Sequence, residues 1–200
     1  MTARLVYFMG PSGAGKDSLL DWLSAHLPAP CPVHWARRTI SRMAIPGGEA
    51  HESVSPEVFA ALRREQAFAL HWEANGLGYG IRHAQLAPLA QDHWVLLNGS
   101  RAYLADALAQ FPHLVAVHIT ASPQVLRERL LSRGRETPDA VEARVQRAMA
   151  FTLPPGTAHL EVHNNGTLND AGQQLLHALG QLPGWPAHSG TLSPIDPTSL

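Results

Sequence analysis

Residues 10–16 have the sequence Gly-Pro-Ser-Gly-Ala-Gly-Lys, which fits the spacing G-x-x-x-x-G-K. Glycines let successive backbone N–H groups turn inward around phosphate oxygens, and a helix N-terminus adds partial positive charge. The ammonium of Lys16 can then reach the β and γ phosphates of ATP and assist catalysis. The predicted ATP-binding residues are Gly10, Pro11, Ser12, Gly13, Ala14, Gly15, Lys16, Asp17 and Ser18.

Lys16 is the only lysine in the chain, which contains fourteen arginines. Arginine and lysine are not interchangeable, because a planar guanidinium needs more room than a compact ammonium. In a chain that otherwise uses arginine, a single lysine indicates a position where the ammonium is required. The composition therefore supports the phosphate site independently of the glycine spacing.

The residue after Lys16 is Asp17, where this pattern usually has a hydroxyl residue that ligates Mg²⁺, and the first hydroxyl is that of Ser18. A carboxylate is a hard oxygen ligand, so Asp17 could bind the metal directly or through water. Ser18 could instead serve with a shifted helix start, or Asp17 could be an acid favoured by the helix dipole. Asp17 and Ser18 are both candidate Mg²⁺ ligands.

Arginines cluster in two further places. Arg133 and Arg135 flank Gly134. Phosphoryl transfer spreads negative charge over the transferred group, and arginines in a mobile lid can neutralise that charge when substrate is bound. We predict that these two are catalytic, whereas Arg127 and Arg129 fit a solvated helix. Arg37, Arg38 and Arg42 form a second cluster suited to the anionic groups of an acceptor.

The composition limits the function classes. The 200 residues are 45% hydrophobic and carry a net charge of −1, which suits one folded domain and argues against a protein that coats nucleic acid. One cysteine, no secretory signal and no long apolar stretch predict a soluble cytoplasmic protein without membrane or nucleic-acid partners. The twelve histidines show no metal-binding pattern, and a homodimer is allowed.

Strands and helices alternate along the chain, which predicts an α/β fold with a parallel sheet flanked by helices. Strands are expected at 5–9, 68–72, 94–98, 114–119 and 160–163. Helices are expected at 16–27, 55–66, 103–110 and 168–181, and two further helices should begin at residues 122 and 137. Residues 28–52 should be mostly loop with one short strand, and 75–80 a turn-rich segment. We expect one domain over 1–182, with an acceptor region at about 34–82 and a lid at about 127–147, and a flexible tail over 183–200.

These motifs, in this order, resemble the guanylate kinase-like kinases over residues 4 to about 180. The resemblance rests on the phosphate loop, on residues 39–42 followed by Gly48-Glu49, on residues 76–80 and on Arg133-Gly134-Arg135. It implies the P-loop nucleotide kinase fold, with ATP and Mg²⁺ as cofactors. The chain departs from guanylate kinases at the acidic guanine reader, which aligns with Leu70 or His71, and at a second acceptor arginine, which aligns with Ala44 or Ile45.

Four strings together resemble one branch of these kinases, the ribose 1,5-bisphosphate phosphokinases of phosphonate degradation; they lie at 15–18, 38–42, 71–80 and 95–101. The resemblance implies ATP-dependent phosphorylation of ribose 1,5-bisphosphate to 5-phospho-α-D-ribose 1-diphosphate (PRPP). We expect Arg38, Arg42 and Tyr79 to bind acceptor phosphates. Asn98, Ser100 and Arg101 should face the ribose or its phosphates, since open α/β sheets bind ligands at the carboxyl ends of their strands.

Three alternatives remain open from the sequence. A guanylate or other nucleoside-monophosphate kinase would be favoured by an acidic base reader. A non-catalytic guanylate kinase-like binding module would need neither Lys16 nor the lid arginines, and both are present. A regulatory P-loop NTPase would need a water-positioning residue and a second acid at the end of a strand, and neither is evident.

Overall fold

The structure, a computed structural model, describes residues 4–42, 51–134 and 136–186. The strands in these residues are β1 (Leu5–Met9), β2 (Val33–Ala36), β3 (Arg38–Ile40), β4 (Glu52–Ser53), β5 (Phe68–Ala74), β6 (Leu77–Arg82), β7 (Trp94–Asn98), β8 (Val115–Thr120) and β9 (His159–His163). The α-helices are α1 (Lys16–His26), α2 (Pro56–Arg64), α3 (His83–Leu86), α4 (Leu104–Gln110), α5 (Pro123–Ser132), α6 (Pro138–Met149) and α7 (Leu168–Gly180). Short 3₁₀ helices cover Ala87–Gln91 and Arg101–Tyr103.

The central sheet has five parallel strands in the order β2-β7-β1-β8-β9. All residues of β1 and β7 are buried, which explains why both strands are continuous apolar runs instead of alternating ones. Val6 and Phe8 belong to the hydrophobic core on one face, and Leu5, Tyr7 and Met9 belong to the core on the other. The predicted α/β architecture is confirmed.

A smaller sheet has the order β4-β3-β6-β5 and packs beside the central one. The expectation of a single strand in 28–52 was wrong, because β2, β3 and the start of β4 all lie there. Residues 75–80 were also misinterpreted: the turn is Asn75-Gly76, and β6 begins at Leu77. Local patterns undercounted these strands because each is short and rich in polar residues or glycine.

The glycines of β6 are needed for packing. A Cβ atom at Gly78 would lie 2.5 Å from the ring of Phe59 on α2, and one at Gly80 would lie 2.5 Å from the ring of Phe68. The aromatic rings therefore occupy the space that side chains on this face of β6 would fill. The opposite face of the strand presents Tyr79 to the cleft described below.

The helix starts at 55, 122 and 137 are confirmed. The hydroxyl oxygens of Ser55, Ser122 and Thr137 accept hydrogen bonds from the N–H groups of residues 58, 125 and 140, and a proline follows each cap. Gly134, with φ of +60°, follows the end of α5 as expected. No helix in the described ranges is long and apolar enough to cross a membrane.

The predicted tail does not begin at residue 183. Trp185 is buried against Trp94, with ring centroids 4.9 Å apart, and the indole N–H of Trp94 donates to the carbonyl of Gly184 at 2.9 Å. The Pro- and Gly-rich composition suggested a loose segment, but one aromatic residue is enough to fix the chain to the core. Packing of the domain therefore extends beyond the predicted boundary at 182.

Candidate active site

The phosphate loop connects β1 to α1 at the carboxyl edge of the central sheet. Gly13 and Gly15 adopt left-handed backbone angles, with φ of +92° and +77°, which are unfavourable for other residues. Gly15 is also the N-cap of α1, so the helix begins at Lys16 with its free N–H groups facing the loop. The strand, loop and helix predicted from the sequence are therefore present in order.

Lys16, Asp17 and Asn98 form one hydrogen-bonded cluster beside the loop. The ammonium of Lys16 donates to the carboxylate of Asp17 at 2.8 Å and to the amide oxygen of Asn98. The amide nitrogen of Asn98 donates to the same Asp17 oxygen at 3.1 Å. Asn98 reaches both residues because β7 lies next to β1, with Asn98 in register with Phe8.

The electrostatics of the cluster keep Asp17 ionised. Partial burial alone would raise the pKa of this carboxyl group, but the Lys16 charge, hydrogen bonds from Lys16 and Asn98 and the charge of Arg38 outweigh it. The net effect lowers the pKa of Asp17 below its ordinary value. Asp17 is therefore an ionised carboxylate at neutral pH, able to bind a cation through its oxygens.

Hydrogen bonds made by Tyr7 on β1 hold the loop after β7 in place. The hydroxyl of Tyr7 donates to the carbonyl of Ser100 and accepts from the N–H of Ser100, both at 2.8 Å. Gly99 lies directly over the Tyr7 ring, where a Cβ atom would collide with it. Burial, opposed in part by the Ser100 hydrogen bond, raises the pKa of Tyr7, so the hydroxyl stays neutral and can both donate and accept.

Arg101 connects this loop to the end of α6. Its guanidinium donates to the carbonyl of Ala148 at 3.2 Å and lies 5.0 Å from the ring centre of Phe151. Desolvation lowers the pKa of Arg101, yet an arginine remains charged throughout the working range of a protein. The contact fixes a cation between the sheet edge and the segment predicted to form a lid.

These elements surround a cleft of about 740 Å³. In the described part of the chain its lining carries seven cationic side chains and one carboxylate, namely Lys16, Arg38, Arg42, Arg101, Arg133, Arg144, Arg147 and Asp17. Parallel strands end at one edge of a sheet, so the loops after β1 and β7 meet there, while β3 and α6 bring further arginines. The arrangement suits two polyanionic substrates held side by side.

The structure brings most of the predicted site residues to this cleft. Its lining includes Gly10, Pro11, Ser12, Gly13, Gly15, Lys16, Asp17, Ser18, Arg38, Arg42, Tyr79, Ser100, Arg101 and Arg133. Ala14 is fully buried, and its carbonyl accepts a hydrogen bond from the Asn164 amide at 2.8 Å, so it contributes backbone only. Arg135 lies outside the described residues, as do Ala44, Ile45 and Gly48-Glu49.

Asn98 is a correction. We expected its side chain to face an acceptor ribose, but it is only 3% exposed and its amide is committed to Lys16 and Asp17. Asn98 is the last residue of β7 and does not line the cleft, whereas the next residue, Gly99, does. The sequence placed it at the correct sheet edge, but its side chain contacts Lys16 and Asp17 instead of lining the cleft.

Sequence reasoning missed Trp72 and Tyr7, both of which contribute to the site. Trp72 is largely buried, yet it also lines the cleft. Trp72 lies in residues 71–80, one of the four strings on which the family resemblance rests, and this position could have indicated a role in the site. Tyr7 gave a weaker signal, a single hydroxyl in the apolar run of β1, because only the packing of the two strands shows its contact with Ser100.

A second cavity of about 320 Å³ adjoins the phosphate loop on the side of α5. Its lining includes Gly15, Ser18, Arg129, Asn164 and Leu168. Arg129, which fitted a solvated helix from the sequence, is half-buried, and its guanidinium is 3.5 Å from the carbonyl of Gly13. The phosphate loop therefore borders both cavities, whose linings share Gly13, Gly15 and Ser18.

The donor set at the cleft fits a Mg²⁺ ion bound together with substrate. Mg²⁺ prefers hard oxygen ligands and commonly uses one or two protein oxygens plus phosphates and waters. Asp17 offers an ionised carboxylate and Ser18 a hydroxyl, and both line the cleft. Across the described ranges no group of three or more His, Cys, Asp or Glu residues could hold a metal by itself.

Solved structures with the same fold include a guanylate kinase from Anaplasma phagocytophilum. It superposes with a TM-score of 0.59 at 15% identity, covering 88% of this chain and 84% of that one. A sugar kinase from Janibacter sp. superposes with a TM-score of 0.51 at 17% identity, covering 93% of this chain and 99% of that one. At these identities the likeness concerns the fold alone.

Curated relatives are much closer in sequence, although no protein-family model matches the chain. The ribose 1,5-bisphosphate phosphokinase of Pseudomonas paraeruginosa is 46% identical over 181 residues, which span 90% of this chain and 97% of the relative. The enzyme of the same name from Burkholderia pseudomallei is 44% identical over 176 residues, spanning 88% and 95%. That from Pseudomonas fluorescens is 44% identical over 183 residues, spanning 90% and 96%. The chain belongs to the family of ribose 1,5-bisphosphate phosphokinases.

Proposed function

We propose that this kinase transfers the γ-phosphoryl group of ATP to the 1-phosphate of ribose 1,5-bisphosphate, with 5-phospho-α-D-ribose 1-diphosphate and ADP as products. The observation that carries the proposal is the charge of the cleft, seven cationic side chains against one carboxylate among the described lining residues. Both substrates are polyanions whose mutual repulsion must be neutralised before they can react. Membership of the kinase family supports the same reaction.

The chemical step needs positioning and charge neutralisation. An oxygen of the acceptor's 1-phosphate attacks the γ phosphorus, the new P–O bond forms, and the bond to the β–γ bridging oxygen breaks as ADP leaves. The attacking oxygen is already anionic near neutral pH, so no general base is required. Phosphoryl transfer with a loose transition state depends mainly on alignment and on cations around the transferred group.

Six cationic residues have assigned roles in this scheme. The backbone of residues 10–16 and the Lys16 ammonium hold the ATP phosphates, while Arg133 and Arg135 close over the transferred group. Arg38, Arg42 and Tyr79 bind the acceptor phosphates, and Ser100 and Arg101 hold its ribose end. These roles agree with an acceptor region over about 34–82 and a lid over about 127–147.

Mg²⁺ would be held by Asp17 or Ser18 together with ATP phosphates, and it would neutralise charge on the β and γ groups. Lys16 and Asp17 neutralise each other in the structure. With a Mg-nucleotide bound, the Lys16 ammonium would contact phosphate oxygens and the Asp17 carboxylate would hold the cation. Lys16 and Asp17 would therefore each exchange their mutual contact for a contact of opposite charge from the Mg-nucleotide. We place this reaction in the cytoplasm, where ATP is available.

The test is a paired acceptor assay on the full chain with ATP and Mg²⁺. Ribose 1,5-bisphosphate and GMP are compared at equal concentrations, with ADP followed by a coupled assay and the diphosphate product identified by phosphorus NMR. We expect diphosphate formation with the sugar bisphosphate and no transfer to GMP. Transfer to GMP alone, or ADP release without a diphosphate product, would overturn the proposal.

Two variants make the assay sharper. Lys16→Ala should lose turnover by at least about a hundredfold, since a cation aimed at developing charge is worth several kcal/mol, while its thermal unfolding stays cooperative. The apparent Mg²⁺ affinity should fall in Asp17→Asn and not in Ser18→Ala if Asp17 is the ligand. The reverse order would assign the metal to Ser18.

A further inference from the structure

The acceptor end of the cleft is closed by one face of the small sheet. Tyr79 on β6 lies in register with Ile40 on β3 and with Trp72 on β5. Side chains directly opposite one another on neighbouring strands point to the same side of a sheet. All three line the cleft, so this row of side chains is the surface that an acceptor meets.

Aromatic contacts fix the row in place. The rings of Trp72 and Tyr79 stack with centroids 5.6 Å apart and planes 6° apart. Trp72 also stacks on Tyr103, at 5.6 Å and 25°, and the hydroxyl of Tyr103 accepts a hydrogen bond from Gln110 at 3.0 Å. The Trp72 side chain is therefore held from two elements, β6 and the 3₁₀ helix after β7, and only 7% of the residue is exposed.

Such a surface is poorly suited to a nucleobase. Protein sites commonly bind bases by stacking them on an open aromatic face and by pairing with their polar edge. Here the rings of Trp72 and Tyr79 are engaged with each other, and the guanidinium of Arg38 lies 5.4 Å from the centre of the Tyr79 ring. Leu70, on the same side of β5 as Trp72, is fully buried and offers no polar group.

We propose that Trp72 is a specificity-determining residue, whose fixed indole fills the space that the base of a nucleoside monophosphate would need. The row leaves room for a compact sugar phosphate, held by Arg38 and Arg42 at its phosphates and resting against the indole. This proposal rests on the proposed function and extends it by naming the residue that excludes nucleotide acceptors. Exclusion by a filled volume requires a rigid residue, and the stacked contacts supply that rigidity.

The proposal is tested with Trp72→Ala, Trp72→Phe and, as the matched control, Trp22→Ala. Trp22 is on α1, stacks on His26 at 3.8 Å and does not line the cleft. For each protein, kcat/KM is measured with ribose 1,5-bisphosphate, and GMP binding is measured by calorimetry and as competitive inhibition. Circular dichroism melting identifies any variant that does not fold.

Loss of the indole should lower kcat/KM for the sugar bisphosphate by about tenfold, mainly through KM, and should tighten GMP binding by about tenfold. Trp72→Phe should give smaller changes in the same directions, and Trp22→Ala should leave both quantities unchanged. If GMP binding is unaltered in the folded Trp72 variants, the role of Trp72 is overturned. The proposed function still stands in that case, provided that the wild-type protein turns over ribose 1,5-bisphosphate. Absence of wild-type turnover with ribose 1,5-bisphosphate would overturn the proposed function, and this inference with it.

Discussion

The Tyr7 hydroxyl makes two hydrogen bonds to the backbone of Ser100, donating to its carbonyl and accepting from its N–H, each at 2.8 Å. A side chain in the middle of a buried strand therefore fixes the position of the loop that contributes Ser100 and Arg101 to the cleft. A loop held in this way keeps its side chains in one position, and catalysis by alignment depends on such precision.

Replacing Tyr7 by Phe should lower stability and activity together. The change removes both hydrogen bonds and leaves a partly buried N–H and C=O without their partner, at a cost of about 1–3 kcal/mol. We expect kcat/KM to fall about tenfold through loss of alignment. Urea unfolding and steady-state kinetics measure the two effects. Ser100→Ala keeps both backbone bonds, so a similar loss of stability in that variant would contradict the explanation.

The Asp17 carboxylate should add a pH-dependent contribution to stability. Because its pKa is lowered in the folded protein, stabilisation is present above the ordinary value of 3.8 and is lost as pH falls through the lower folded value. Asp17→Asn should therefore be less stable than wild type near neutral pH, by about 1 kcal/mol or less because the pair is open to water. Urea unfolding of both proteins from about pH 3 to 8 measures the difference. A difference that grows toward low pH would show that the sign is wrong.

Two arginines of α5 and α6 should behave differently. Arg147 on α6 lines the cleft, whereas Arg127 on α5 pairs with Glu142 at 2.8 Å and does not. Arg147→Ala should lower kcat/KM by about a hundredfold, since it removes a cation from the charged cleft. Arg127→Ala removes a partly exposed ion pair and should change stability by about 1 kcal/mol or less, with turnover retained. Equal kinetic losses in the two variants would mean that the cleft lining does not identify the functional arginines.

Gly78→Ala should destabilise the small sheet. The added methyl group would lie 2.5 Å from the Phe59 ring, and overpacking of this kind typically costs about 1–3 kcal/mol. Gly180→Ala is the matched control, since a Cβ atom there meets nothing within 4 Å and the residue ends α7. That variant should be neutral or more stable by up to about 1 kcal/mol. Thermal melting compares them, and a neutral Gly78→Ala would show that Phe59 can shift without cost.

Local chemistry determined much of this protein from the sequence. The phosphate loop was identifiable because glycine spacing, a preceding apolar strand and the sole lysine are all local features. The helix starts at Ser55, Ser122 and Thr137 followed from cap-plus-proline pairs, whose effect operates within one turn. Buried strands such as β1 and β7 were evident because parallel strands covered on both faces are continuously apolar.

The tertiary structure decided what depends on contacts between distant residues. Asn98 turned out to support Lys16 and Asp17 because β7 pairs with β1, and Trp185 extended the packed domain because it meets Trp94. Residues 77–82 form a strand because they pair with β3 and β5, and Phe59 and Phe68 fill the space beside two glycines of that strand. The role of Trp72 likewise depends on strand register and on a ring from another loop. Sequence patterns report what a residue prefers locally, whereas the partner that packs against it is set only when separate strands and loops come together in the fold.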